Sequence, residues 1–237
     1  MKKIIKRWLD KLWRDVDLEN KNLILGLLER NESARILDIG CGSGGFTRQI
    51  ADSVGTEHIF GLEIGRQTAV TASRVNKINV VMATAEKPLP FRSGSFDIVV
   101  SNQVLEHLSN TDNLIKEAYR ILRNNGVCVL STPNLASLHS IISLMLGYQP
   151  TCTGVSDETI CGNPFDPRYG ARFERPKKTH QRVFTARALR ELFTFHGFHV
   201  EKLTGWGLHP LPLIISKHIR FTRYCVYLAV KARKPNS

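Results

Sequence analysis

The chain has 237 residues, enough to bury one full core with a small appended cap, and its 42% hydrophobic and 23% charged residues are those of an ordinary globule. No apolar run reaches the roughly 20 residues a membrane-spanning helix needs, and the N-terminus has neither the apolar core nor the cleavage site of a signal peptide. The formal net charge of +12 is unevenly placed: residues 1–15 carry +4, residues 171–190 and 217–237 carry +6 each, and the remainder is net −4. Basic character therefore belongs to the periphery, where it suits solubility or an anionic surface.

In chain order, residues 1–30 read as N-terminal cap helices in two helix-like segments. Ile4, Ile5, Trp8, Leu9, Leu12 and Trp13 fall on one helical face, with Lys2, Lys3, Lys6, Arg7, Lys11 and Arg14 around it. Such a helix either packs over a cleft or lies on anionic lipid, so residues 1–14 are candidates for peripheral membrane contact. Strand-like and helix-like segments then alternate. Ile36–Ile39, His58–Glu63, Asn79–Ala83, Phe96–Ser101 and Gly126–Ser131 read as strands, and Phe46–Val54, Gln67–Val75 and Leu114–Leu122 as helices. That cadence predicts an α/β fold: a mostly parallel sheet with helices on both faces.

Residues 134–183 break the cadence with an amphipathic helix (Leu135–Leu146) and a Gly/Pro/Asp-rich loop, the kind of insertion that covers an acceptor. Thr185 then reads as an N-cap, with Phe184 and Leu189 as a hydrophobic staple, for a helix that stops at Gly197. Val200–Leu203 and Tyr224–Lys231 follow as two last strands. Five cysteines (41, 128, 152, 161 and 225) are odd in number and irregularly spaced, so reduced thiols in a cytoplasmic protein are expected and no metal centre is.

The first strand leads into Gly40-Cys-Gly-Ser-Gly-Gly45, in which Gly40, Gly42 and Gly45 stand at the G-x-G-x-x-G spacing of a nucleotide-binding turn. Asp38 chooses between ligands. A pyrophosphate there would meet a like charge, at a cost of roughly 4 kcal/mol at close range and intermediate dielectric. A ligand with an ammonium and a sulfonium, such as S-adenosylmethionine, would be attracted, and its carboxylate can still use the backbone N–H groups.

With Leu37-Asp-Ile-Gly-Cys-Gly-Ser-Gly44, the acid Glu63, Thr84-Ala-Glu-Lys-Pro-Leu-Pro-Phe91, Phe96-Asp-Ile-Val99, Val104-Leu-Glu-His-Leu108 and Arg120-Ile-Leu-Arg-Asn-Asn-Gly126 in order, the chain resembles the class I S-adenosylmethionine-dependent methyltransferases over residues 30–135 and 180–232. Thr84 departs from the Asp common in that family's third motif. Ser131-Thr-Pro-Asn134, Gly147-Tyr-Gln-Pro150 and His180-Gln-Arg-Val-Phe-Thr185 are similar to the ubiquinone-biosynthesis type of small-molecule enzyme.

The resemblance implies a Rossmann-like, seven-stranded sheet with an antiparallel last strand, forming one domain over residues 31–237. It implies S-adenosyl-L-methionine as cofactor, held by Asp38, Gly40, Cys41, Gly42, Gly44, Glu63, Ile64, Ala85, Glu86 and Asn102. Gln103, His107, Asn134 and His139 are expected to line the acceptor site, and His180 is the candidate for acceptor binding or proton removal. O-methylation of a small or lipid-like acceptor is favoured. Alternatives are an RNA methyltransferase, which the basic periphery alone suggests, and a non-catalytic membrane-peripheral binding protein.

Overall fold

The computed structural model describes residues 2–173, 179–209, 211 and 222–236, with the backbone alone for residues 2–13. Five strands, β1 (Ile36–Ile39), β2 (Ile59–Glu63), β3 (Asn79–Met82), β4 (Phe96–Asn102) and β5 (Leu122–Pro133), pair in parallel in the order 3-2-1-4-5. β7 (Tyr227–Arg233) lies antiparallel between β5 and β6 (His199–Trp206) and completes the seven-stranded sheet. This is the expected architecture, with the last strand reversed.

Alternating residues of the central strands feed two cores. On one face Leu37, Ile39, Phe96 and Leu130 meet Leu114, Ile115, Ala118 and Ile121 of α4 (Thr111–Ile121) and Leu189 and Phe193 of α6 (Ala186–Phe195). On the other, Ile36, Ile98, Val100 and Val129 meet Ile50, Ala51 and Val54 of α2 (Gly45–Val54), Ala72 of α3 (Arg66–Arg74) and Ile24 of α1 (Lys2–Leu25). A sheet covered on both faces buries every residue of β1, which is why that strand reads as an unbroken apolar run apart from Asp38.

Several boundaries differ from those read in the sequence, α4, β6 and β7 by up to three residues, and three differences have a local cause. α1 is one helix, not two segments, because no glycine or proline interrupts it before Gly26. β5 begins at Leu122 instead of Gly126, since Leu122 pairs with Phe96 across an irregularity before the regular register starts at Ile98 and Val127. α5 (Leu138–Met145) starts three residues after Leu135, because the Leu135 amide is already given to the Phe184 carbonyl and that of Ala136 to Asn134 Oδ1. The staple helix forms as expected, with Thr185 Oγ1 accepting from the Ala188 amide.

No helix among the described residues is long and apolar enough to cross a membrane. The side chains of the interfacial face expected over residues 1–14 lie outside the described ones up to Trp13.

Candidate functional site

The parallel strands end together at one edge of the sheet, where open α/β folds place ligands. The turn after β1 is built by three glycines in the left-handed region, Gly40, Gly42 and Gly44, with φ of 80°, 54° and 85°. A Cβ on Gly40 would come within 2.4 Å of Val104 Cγ2, so the bare backbone there is a packing requirement. A Cβ on Gly42 would meet no protein atom within 4 Å, so that side of the turn opens onto space a ligand can enter. The conformational burden falls on Gly44, which caps α2, and not on Gly45, the third glycine of the fingerprint.

Two acids brace the turn. Glu63, at the end of β2, accepts the Gly42 amide at 2.9 Å on one oxygen and the Gly65 amide at 2.7 Å on the other. Each oxygen keeps a further lone pair for a ligand. Asp38 is buried beneath the turn and accepts from Thr47 Oγ1 at 2.6 Å. Burial pushes its carboxyl up to about 6, against the lowering pull of the Thr47 hydroxyl, and the charge of Glu63 adds to the rise. A cationic group laid on the turn would offset both penalties. The open face of Gly42 and the charge-starved Asp38 thus fit the expected cofactor.

A cavity of about 180 Å³ beside the turn is lined by Gly40, Glu63, Ile64, Ala85, Glu86 and His107, among others. Ile64 stands largely exposed at its rim. Glu86 lines the cavity, but its carboxylate accepts from Ser109 and Asn110 at the start of α4. Cys41 does not line this cavity: its amide donates to the Leu62 carbonyl, and burial and the charges of Asp38 and Glu63 push its thiol up to about 12. Asn102 does not line this cavity; its Oδ1 accepts from Asn20 Nδ2 and Ser131 Oγ.

The second cavity, about 260 Å³, lies under the insertion and collects Gln103, Asn134, His139 and His180, four residues singled out on the acceptor side. Gln103 sits at φ 57° at the end of β4, an uncommon conformation for a side chain of its size. It reaches Ser131 Oγ at 3.1 Å. Asn134 is spent on structure: its amide donates to the Arg223 and Cys225 carbonyls. His139 approaches Thr151 Oγ1 at 3.2 Å, and burial, with His209 nearby, lowers it to about 3, so it is neutral.

His180 is held by its Nδ1, which lies 2.8 Å from the Cys152 carbonyl oxygen. A carbonyl only accepts, so Nδ1 carries the proton and Nε2 of the neutral ring carries the lone pair. The His180 segment is fastened where the Gln181 amide donates to the Glu106 carbonyl at 2.7 Å. This brings the ring to 4.8 Å from that of His107, edge to face. His107 in turn borders the first cavity, so the two histidines stand on the wall between the spaces.

Sequence reasoning missed three contributors. Arg168 and Tyr227 line the second cavity, Arg168 bonded to the buried Asp166 at 3.2 Å. Asn20, fully buried on α1, ties that helix to Asn102 and Ser131 at the sheet's edge. A polar residue at 20 within an amphipathic helix carries no local signal of such a distant partner.

A family model described as a methyltransferase domain matches residues 12–203. A protein of Mycolicibacterium smegmatis named a probable S-adenosylmethionine-dependent methyltransferase is 30% identical over 181 residues, covering 76% of this chain and 57% of that protein. A malonyl-[acyl-carrier protein] O-methyltransferase of Geobacter sulfurreducens is 36% identical over 110 residues, 44% of this chain and 41% of that one. The chain spans about half the length of the curated relatives it matches. Among solved structures, an S-adenosylmethionine-dependent methyltransferase of Thermotoga maritima shares the fold with a TM-score of 0.65 at 18% identity, covering 99% of this chain and 100% of that one.

Proposed function

This chain belongs to the methyltransferase-domain family, and from that premise we propose that it moves the methyl group of S-adenosylmethionine to an oxygen of a small or lipid-like acceptor. One observation supports this above the rest. Five of the residues expected at the cofactor (Gly40, Glu63, Ile64, Ala85 and Glu86) line one cavity, four expected on the acceptor side (Gln103, Asn134, His139 and His180) line another, and the ring of His107 from the first lies 4.8 Å from that of His180 in the second.

Glu63 would hold the ribose hydroxyls and Asp38 the ammonium, with the backbone of Gly40 to Gly44 against the carboxylate and Ile64, Ala85 and Glu86 beside the base. Asn102 would act on the cofactor only by bracing the strand ends. S-adenosylmethionine supplies an already activated methyl, so the protein's task is to align the acceptor and exclude water. His180 would receive the acceptor's hydroxyl proton on Nε2, with Gln103 and the uncharged His139 lining the acceptor's path. Arg168 would border the acceptor with its charge already paired to Asp166.

The lipid-like side of the reading rests on α5. Ile142, Leu144, Met145 and Leu146 are exposed at its end, one turn beyond His139, and Phe165 is exposed nearby. A lipid-like acceptor would also engage the apolar stretch Leu211–Ile215, which lies outside the described residues except Leu211. The protein would act in the cytoplasm, touching membrane peripherally through residues 1–14.

The test is incubation with methyl-labelled cofactor and a lysate split into lipid, RNA and small-molecule fractions. Base-labile or ether-linked label in the lipid or small-molecule fraction, lost with Glu63→Ala, is the expected result. Label in RNA alone overturns the acceptor class. Unchanged binding of S-adenosylhomocysteine by Glu63→Ala in calorimetry overturns the cofactor site.

A further inference from the structure

Glu106 occupies the short 3-10 turn Leu105–His107 that follows β4, fully buried. Its Oε2 accepts from Thr132 Oγ1 at 3.0 Å, and its Oε1, also buried, has no hydrogen-bond partner among the described residues. Leaving a carboxylate oxygen unmatched in the interior is costly unless something positive meets it. What faces this carboxylate is a pair of imidazoles: one oxygen of Glu106 and one ring nitrogen each of His107 and His180 all lie within 4.8 Å of one another.

We propose that Glu106, His107 and His180 form a binding site for one divalent first-row transition-metal cation, in the wall between the two cavities. Two imidazoles and a carboxylate are the donor set such ions take, and three protein ligands leave positions open for an acceptor oxygen or water. The outer shell is already in place. Metal-bound histidines nearly always give their other ring N–H to a carbonyl or carboxylate, as His180 Nδ1 does to Cys152. That bond leaves Nε2 as the only ligand atom His180 can offer. Glu106 likewise has its second oxygen fixed by Thr132, which leaves Oε1 to point at the cation. Closing the three donors onto an ion at about 2.1 Å requires movements of about 1 Å, within the reach of side chains on a turn and a loop.

The two chain segments are joined by backbone as well. The Gln181 and Arg182 amides both donate to the Glu106 carbonyl, so the loop that carries His180 is pinned to the turn that carries the other two donors. Sequence gave no sign of this set, because the pair Glu106-His107 and His180 stand at no metal-ligand spacing. If the acceptor reading of His180 holds, the consequence is catalytic: a hydroxyl bound to the cation loses its proton more readily than one facing imidazole alone. The site itself does not depend on that reading.

Cobalt(II) titration of the full-length protein, followed by its visible absorption, and zinc calorimetry test the site without reference to turnover. One equivalent should bind to the native protein, at least tenfold more weakly to Glu106→Gln and His180→Ala, and unchanged to His58→Ala, an exposed histidine at the start of β2. Absence of a stoichiometric site, or equal binding by native protein and Glu106→Gln, overturns the proposal. Should Glu106→Gln fail to fold, as judged by its metal-free melting curve, His107→Ala takes its place. No metal binding together with loss of methyl transfer in His180→Ala would sink the metal site and leave the acceptor reading standing. Metal binding with full transfer after chelation would do the opposite to its catalytic consequence while keeping the site.

Discussion

Asp38 carries a conflict between folding and ligand binding. It is 3% exposed, with Thr47 as its hydrogen-bond donor, and its carboxyl titrates at about 6 where an unhindered one titrates at 3.8. Between those two values the native chain keeps a proton that the unfolded chain has released. Folding stability therefore falls as pH rises through that window, by about 3 kcal/mol in all. Asp38→Asn removes the titration and can still accept from Thr47. In the absence of cofactor it should melt higher than native protein at pH 7.5 and lose the difference near pH 4. Calorimetry should show the reverse for function, with S-adenosylmethionine bound at least tenfold more weakly by the variant at pH 7.5. A native melting temperature that is flat from pH 4 to 7 would refute this account of Asp38.

At the scale of elements, what the sequence made legible was local. The turn after β1, the acid that closes β2 and the Phe184-Thr185-Leu189 staple each depend on residues a few positions apart, and each forms as read. Thr185→Ala should accordingly cost about 1 kcal/mol. For a domain of this size that lowers the melting point by about 2–4 °C. A melting temperature unchanged within error would mean that Phe184 and Leu189 alone hold the start of α6. The acceptor side was legible only in part. His139 and His180 drew notice as histidines in an insertion, but Arg168, Tyr227 and Asn20 reach the site through contacts far along the chain. Asn134 shows the converse: it lines the cavity as expected, yet long-range bonds to the Arg223 and Cys225 carbonyls absorb its amide.

For the whole molecule, charge and apolar exposure fall on the same side of the question. The three basic segments together carry +16 and the rest of the chain −4, and one of them, residues 171–190, overlaps the end of the insertion. Leu144, Met145, Leu146 and Phe165 expose apolar surface on that insertion, beside the cavity that holds His139 and His180. A cationic surface with an apolar tip binds anionic bilayers by two terms: attraction that salt screens and burial that salt leaves alone. Co-sedimentation with vesicles rich in phosphatidylglycerol should therefore be strong at 50 mM salt, weaken severalfold at 500 mM, and stay near zero for neutral vesicles at both. Met145→Glu, on a side chain 81% exposed, should weaken binding at each salt concentration without lowering the melting point. Equal binding by native protein and Met145→Glu would assign the attraction to charge alone. In that case the exposed end of α5 has no part in reaching the membrane, and the lipid-like acceptor loses its structural support.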